Sequence, residues 1–459
     1  MNIWKTKTPS QIADAAEHTQ LKKNLSAFDL AALGIGSVVG TGIFVATGEG
    51  AHLAGPGVLL SFIIAAVTCG FCALTYSELA CMFPVAGSTY SYSYVAFGEV
   101  IAWIIGWDLM LEYLVSASAV ASGWSGIFMG LLDSVGIKLP RAFLTTPLAG
   151  GIIDLPAVII TLLITWILFI GIRESARINN IIVLVKVAVI LLFIFLGVRH
   201  INLANLKPLM PFGWKGVMAG AAIIFFAYIG FDAVSTAAEE TKNPKRDVPL
   251  GLMLCLGVVI VLYVAVAFVL TGIVPFKQIV VDNALPGALA SIGIRWGGAL
   301  VATGAIIGMV STLLVTLYGQ IRIFMVMARD GLLPPAFSKI HPKHRTPHLC
   351  TWITGVATAL IAGFFPLPMI INLCNIGTLF AFILVSVGVI VLRKTRPEVE
   401  RKFKTPGVPF TPLITIVFCF YLMANLPGVT WLRFGGWLLA GLLIYFIYGF
   451  RHSKLQKTA

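Results

Sequence analysis

Along this chain, stretches of apolar residues recur with their charges held at the ends, near 28–48, 57–80, 97–131, 155–172, 178–198, 215–238, 248–274, 290–327, 349–365, 369–392, 410–426 and 431–449. A helix of roughly 20 apolar residues spans the hydrocarbon of a bilayer and pairs its own backbone groups while doing so. The pattern therefore predicts an all-α integral membrane protein with twelve transmembrane helices. With 58% hydrophobic and 11% charged residues and a mean hydropathy of +0.95, a soluble fold is excluded. No low-complexity segment or soluble domain interrupts the chain.

The first 25 residues are polar and lack the apolar core and cleavage site of a secretory signal, so the first segment is expected to stay and anchor the chain. With the N-terminus inside, 23 lysines and arginines fall in the inside tails and loops and 8 outside, Lys186 being left within a span. The positive-inside rule then places both termini of a multi-pass membrane protein in the cytoplasm. The net charge of +13 reads as topology and attraction to anionic lipid, not as nucleic-acid binding.

Within the first segment, Gly34-Ile35-Gly36-Ser37-Val38-Val39-Gly40-Thr41-Gly42-Ile43-Phe44 places four glycines and two hydroxyls where a continuous helix would cross the membrane. Irregular backbone is tolerated at that depth only against protein or a water-filled cavity. A second interruption is expected five segments later, at Phe226 to Gly230 of Phe225-Phe226-Ala227-Tyr228-Ile229-Gly230-Phe231-Asp232. Paired broken helices point to a substrate site in secondary transporters. The restarting half of segment one would offer N–H groups and a positive dipole end to a carboxylate, with Thr41 adding a hydroxyl. The unwound part of segment six would offer carbonyls to an ammonium. Together they suit an α-amino acid backbone. The competing reading is a Gly36/Gly40 helix-packing face.

Lys186 lies inside segment five with apolar neighbours on both sides. An intramembrane ionisable group is costly and usually marks an ion or proton pathway, so Lys186 is the candidate proton carrier; snorkelling to the interface is the alternative. Asp108 and Glu112, at i, i+4 in segment three, share a helix face and could line or gate the pathway, or hydrogen-bond the broken span. Glu239 and Glu240, with Lys242, Lys245, Arg246 and Asp247 after them, read as a charged helix end. Cys69 and Cys72 imitate a redox pair but sit in an apolar helix, and the seven cysteines read as buried packing thiols. Gly123-Trp124-Ser125-Gly126 resembles an intramembrane protease string, yet the seven histidines, at 18, 52, 200, 341, 344, 348 and 452, all fall in tails, loops or helix ends. Ser125 is thus read as packing, and neither enzymatic chemistry nor a cofactor or metal is expected. A channel would need a repeated filter or pore ring, and no such string occurs.

Four strings, GIGSVVGTGIF, FFAYIGFDAVSTAAEETKNPKRDVP, PVAGSTYSYSY and YGQIRIFMVMARDGLLP, resemble the amino acid, polyamine and organocation transporter superfamily, above all its bacterial cationic amino acid transporter branch, from about Leu25 to His452. The resemblance implies a five-plus-five inverted repeat with helices 1 and 6 broken (26–393), two extra helices (394–450), and short cytoplasmic tails at 1–25 and 451–459. It implies alternating access and proton-driven import of L-amino acids. It places the substrate carboxylate at the amides of Val38, Val39, Thr41 and Gly42, and the amine at the carbonyls of Phe226, Ala227 and Ile229. Lys186 matches the lysine that occupies the cation position of sodium-coupled relatives. Glu112 resembles the acidic residue of segment three near the site, and Thr316 falls where bacterial relatives can carry a bulkier methionine beside the substrate side chain. The expected partners are an amino acid, protons and the bilayer. Neutral amino acids are favoured, with uptake of arginine, lysine or ornithine, or amino acid exchange, as the alternative. Polyamines would want more acidic groups at the site.

Overall fold

The computed structural model describes residues 2–8, 25–83, 88–171, 176–237, 241–344 and 346–457. Several sequence expectations lie outside them: Lys22 and Lys23, His18, the Pro84–Gly87 part of the third motif, Arg173, Glu239 and Glu240, and Arg345. Among the described residues the structure is helical, with no strand beyond two isolated bridges. Eight helical stretches are long and apolar enough to cross a membrane, and four shorter apolar helices accompany them.

In chain order the helices are α1 (Ala27–Val38), α2 (Thr47–Ala54), α3 (Val58–Met82), α4 (Ser88–Ala96), α5 (Glu99–Ser134), α6 (Leu155–Ile170), α7 (Ala176–Gly197), α8 (Gly213–Ile224), α9 (Ala233–Thr236), α10 (Pro244–Ile273), α11 (Ala284–Ser291), α12 (Arg295–Arg329), α13 (His348–Phe364), α14 (Leu367–Thr395), α15 (Phe410–Ala424) and α16 (Gly428–Ile444). Each expected apolar segment holds one or more of these helices. Two were not anticipated from the pattern: α4, which is rich in tyrosine and serine, and α11, which is separate from α12 although the apolar run seemed to start at 290.

Local chemistry explains the boundaries. Ser26 and Asp29 form a capping box at the start of α1, with Ser26 Oγ accepting from the Asp29 amide and Asp29 Oδ2 accepting from Ser26 N–H at 2.9 Å. Asp154 caps α6 by accepting the Ala157 amide at 3.2 Å, and Gly171 at φ +89° ends it. Asp154 also accepts from Ser125 Oγ at 2.6 Å, so Ser125 is a polar anchor for this cap and not a simple packing residue. Burial pushes the Asp154 carboxyl up to about 6, against those two hydrogen bonds and with the charge of Asp282 adding to the rise. Replacing Asp154 by Ala is expected to cost ~1–2 kcal/mol of stability, read as a lower melting temperature in detergent, while Asp154→Asn keeps most of it because an amide oxygen still caps.

Helix faces divide as a bilayer requires. On α7, Val183, Lys186, Ile190 and Phe193 are buried, at i, i+3, i+7 and i+10, while Ile181, Leu184, Leu191 and Phe195 face outward. The last two helices join the core by specific contacts. Cys72 of α3 meets Cys419 of α15 at 3.6 Å between sulfurs, and Trp107 of α5 stacks on Trp437 of α16 with 4.6 Å between ring centres. Each of those indoles also donates to the other's backbone carbonyl. All seven cysteines are buried and free, as packing thiols should be.

Both chain ends lie on one face. Asn2 N–H donates to Gln456 Oε1 and Gln456 Nε2 to the Asn2 carbonyl, while Lys7 pairs with Asp330 at 2.8 Å beyond the end of α12. On the buried end of α3, the Glu78 carboxylate takes Arg393 in a two-pronged pair at 3.0 and 2.8 Å and the Thr405 amide at 2.7 Å. That clamp ties the link after α14 to α3.

Candidate functional site: two interrupted helices in contact

The first expected interruption is present. α1 ends at Val38; Val39 is extended, with ψ 99°, and the chain resumes as a π-helical turn over Gly42–Ala46 before α2. The second also lies where the residues suggested. α8 gives way to a 3₁₀ turn over Phe225–Tyr228, Ile229 is extended, and Gly230 adopts φ +110° before α9. A positive φ of that size is open to glycine and strained for other residues, which accounts for the residue type at 230.

The two interruptions touch. A Cβ on Gly42 would overlap the Cα of Ala227, and one on Gly230 would come within 3.1 Å of the Ser37 carbonyl oxygen. Glycine at these two positions lets one backbone lie directly on the other. The Gly36/Gly40 packing-face reading is thereby corrected: Gly36 faces Val183 of α7, and Gly40 faces Thr312 of α12. Each meets a different helix, so no single packing stripe forms.

The break redistributes backbone polar groups. The Val39 amide still donates to the Ile35 carbonyl at 2.9 Å and closes the last turn of α1, so it is spent within the helix in this conformation. The Val38 carbonyl accepts from Tyr263 Oη of α10 at 3.1 Å. The Phe226 carbonyl accepts the Ile229 amide at 3.2 Å, the closing bond of the 3₁₀ turn. Thr41 is buried, packs on Gly123 of α5, and its hydroxyl has no partner among the described residues. A buried hydroxyl in that condition is costly unless something polar joins it.

Lys186 is only 1% exposed, which rules out the snorkelling alternative here. Its Nζ donates to the Gly36 carbonyl of α1 at 2.6 Å and to Thr312 Oγ1 of α12 at 2.8 Å. One ammonium thus joins α7, the half-helix before the break, and α12. Space for its stem comes from Gly308, where a Cβ would stand 2.8 Å from Lys186 Cγ. Thr316 lies one turn beyond Thr312, half-buried, with its hydroxyl donating to the Thr312 carbonyl at 2.8 Å.

Asp108 and Glu112 are both buried on α5 and turn towards α14. A Cβ on Gly377 would come 2.8 Å from Asp108 Oδ1, and Cys374 Sγ donates to the Glu112 carbonyl. Both Asp108 oxygens and Glu112 Oε2 lack a hydrogen-bond partner among the described residues, so the structure shows no bond from them to the broken span. Glu112 is eleven residues from Gly123, or about 16 Å along the axis at 1.5 Å per residue, so it sits well away from the level of Thr41. Its electrostatic neighbour is Asp232, in the turn before α9.

Sequence reasoning passed over Thr312, Gly308, Tyr263, Gly123 and Asp232. Gly304-Ala305-Ile306-Ile307-Gly308 was a readable signal for close helix approach. Thr312 and Tyr263 carry no local pattern, since their partners come from α1 and α7.

A family model described as amino acid permease matches residues 25–448. The chain is 49% identical to the branched-chain amino acid permease BcaP of Bacillus subtilis (strain 168), covering 97% of each chain. It is 47% identical to the methylthioribose transporter of the same organism, over 99% of this chain and all of that one. It is 39% identical to the vacuolar cationic amino acid transporter 4 of Arabidopsis thaliana, over 83% of this chain and 64% of the relative. Such matches run through both interrupted helices, and the chain belongs to the amino acid permease family, a multi-pass membrane transporter and not an enzyme.

Proposed function

We propose that the protein imports L-amino acids across the plasma membrane by proton-coupled symport and alternating access, with a preference for uncharged side chains. The observation that carries this reading is the direct contact of two interrupted helices, Gly42 on Ala227, beside a fully buried lysine. In this reading the substrate carboxylate meets the Thr41 and Gly42 amides and the Thr41 hydroxyl. Val38 and Val39 shape the end of α1, and the Val39 amide would join only if the last turn opens. The ammonium meets the carbonyls of Phe226, Ala227 and Ile229, and Thr316 borders the side-chain space. Lys186 carries the proton, and Glu112 and Asp108 belong to the pathway.

Five-plus-five inverted repetition over 26–393 is the proposed architecture, with both termini cytoplasmic; the bias of 23 basic residues against 8 supports that orientation. The preference for uncharged cargo draws support from relatives named for branched-chain amino acids and for methylthioribose. The relatives named as cationic amino acid transporters keep arginine-like cargo as the second reading.

Thermal stabilisation of the purified protein against the twenty amino acids, ornithine, putrescine, spermidine and methylthioribose tests the cargo. A ligand at a hundredfold its Kd stabilises the native state by about 2.7 kcal/mol. Shifts from alanine, leucine, isoleucine or valine are expected. Shifts confined to arginine, lysine and ornithine would overturn the preference, and proteoliposome uptake indifferent to an imposed pH gradient would overturn the coupling.

A further inference from the structure

A cavity of about 350 Å³ lies beyond the break on the side away from the chain termini. Chain direction locates it. α5 starts beside Trp4 and runs to Ser134, so Ser122 and Gly126 near its far end are remote from the terminal face. α12 ends at the Lys7–Asp330 pair, so Asp282, which precedes its start, is remote as well. Val45 and Ala46, at the end of the π-turn, line the cavity on the side of the break. Val45 is three positions past Gly42, about 4.5 Å at helical rise.

The lining holds three carboxylates, Glu49, Asp154 and Asp282, and no lysine or arginine among the described residues. His52, one turn from Glu49 and outside the lining, has its Nε2 at 2.8 Å from the Ile279 carbonyl. Both hydrogen bonds to Asp154 fall on Oδ1, leaving Oδ2 without one among the described residues. Gly126 lets the turn carrying Asp282 lie against α5, where a Cβ would stand 2.8 Å from Asp282 Cβ. A separate feature points to a ligand: Thr146, in the same lining and 6% exposed, has a buried hydroxyl oxygen with no hydrogen-bond partner among the described residues. An ammonium brings three donors and no acceptor, matching carboxylates and an unpartnered hydroxyl oxygen.

We propose that this cavity is an entry site for the primary ammonium group of the substrate, held between Glu49 and Asp282 with Thr146 Oγ1 accepting one hydrogen bond. The proposal rests on the amino acid reading above. Attraction of the amine and repulsion of the carboxylate would present the substrate to the break carboxylate first, towards the Thr41 and Gly42 amides.

The test uses the full-length protein with Ala149→Cys, an exposed position in the lining, labelled by cationic or anionic methanethiosulfonate reagents against the background of seven buried cysteines. An acidic cleft concentrates cations, so the cationic reagent is expected to react about tenfold faster once corrected for the rates of a free thiol. Glu49→Gln with Asp282→Asn should lower that ratio at least ~3-fold, and ethylammonium chloride should slow cationic labelling in the parent but not in the double variant. A ratio near one, or one unmoved by the double variant, overturns the site. In proteoliposome uptake, a raised KM with kcat retained places the site on the route inward, and an unchanged KM overturns its entry role. Labelling needs no transport, so failure of every amino acid in uptake by the parent would count against the proposed cargo while the ratio still reports on the ammonium site.

Discussion

Lys186→Ala is expected to abolish accumulation driven by an inward proton gradient, with initial rates falling about a hundredfold or more, while ligand binding persists. The Lys186 ammonium is the group through which α7 holds both the Gly36 carbonyl and Thr312 Oγ1. Removing it leaves the buried Gly36 carbonyl to find another partner, at ~1–3 kcal/mol if it fails, while the Thr312 hydroxyl keeps its own bond to the Gly308 carbonyl at 3.2 Å. The half-helix before the break then loses its tie to α12, and in the proposed coupling the amine that takes up the proton is gone. Alanine also leaves a void against Gly308, so Lys186→Met, which refills the stem space, separates packing from charge. Both variants should lose the pH dependence of uptake, and Met should melt closer to the parent. Gradient-driven accumulation with unchanged proton dependence in Lys186→Met would remove Lys186 from the coupling step.

The second large effect is expected at Gly42. Any side chain there meets the backbone of Ala227, which cannot rotate away as a long side chain could. Ordinary overpacking in a core costs ~1–3 kcal/mol, and an overlap of backbone with a Cβ at the junction of two broken helices belongs at or above the top of that range. Gly42→Val should therefore lower the melting temperature sharply and, in whatever protein survives, eliminate stabilisation by substrate, because the two interruptions are forced apart. Ala227→Gly removes the Ala227 methyl, 2.8 Å from the added Cβ, but leaves the overlap with Cα, so the pair should recover only part of the loss. Unchanged melting and unchanged affinity in Gly42→Val would show that the breaks are not in contact in the working protein.

Much of this was visible in the residues. The apolar segments, the glycine-rich interruption before Phe44 and the second one ending at Gly230 all follow from short-range rules: hydropathy over a bilayer's thickness, and the tolerance of glycine for a positive φ. Lys186 was conspicuous because a charge stood among apolar neighbours. Its partners were not. Gly36 and Thr312 lie 150 and 126 residues away, and no local periodicity relates them to position 186. Likewise, the Gly36/Gly40 spacing fits a packing stripe by itself, and only the break at Val39, with α7 against Gly36 and α12 against Gly40, separates the two glycines.

Ser125 and Asp154 teach the same lesson at the far end. Ser125 sits in a small-residue string that suggested packing, while the aspartate 29 residues later turns it into a hydrogen-bond donor. Glu49, Asp154 and Asp282 come from three distant parts of the chain and share a cavity because the first turn of α2, the start of α6 and the turn before α11 meet there. Chain composition and local pattern were thus enough to establish a helical membrane protein with two broken helices, since the cost of unpaired backbone in hydrocarbon acts residue by residue. Which carbonyl holds the buried lysine, and which carboxylates share the cavity beyond the break, depended on long-range packing, where the deciding contacts join residues that sequence proximity cannot relate.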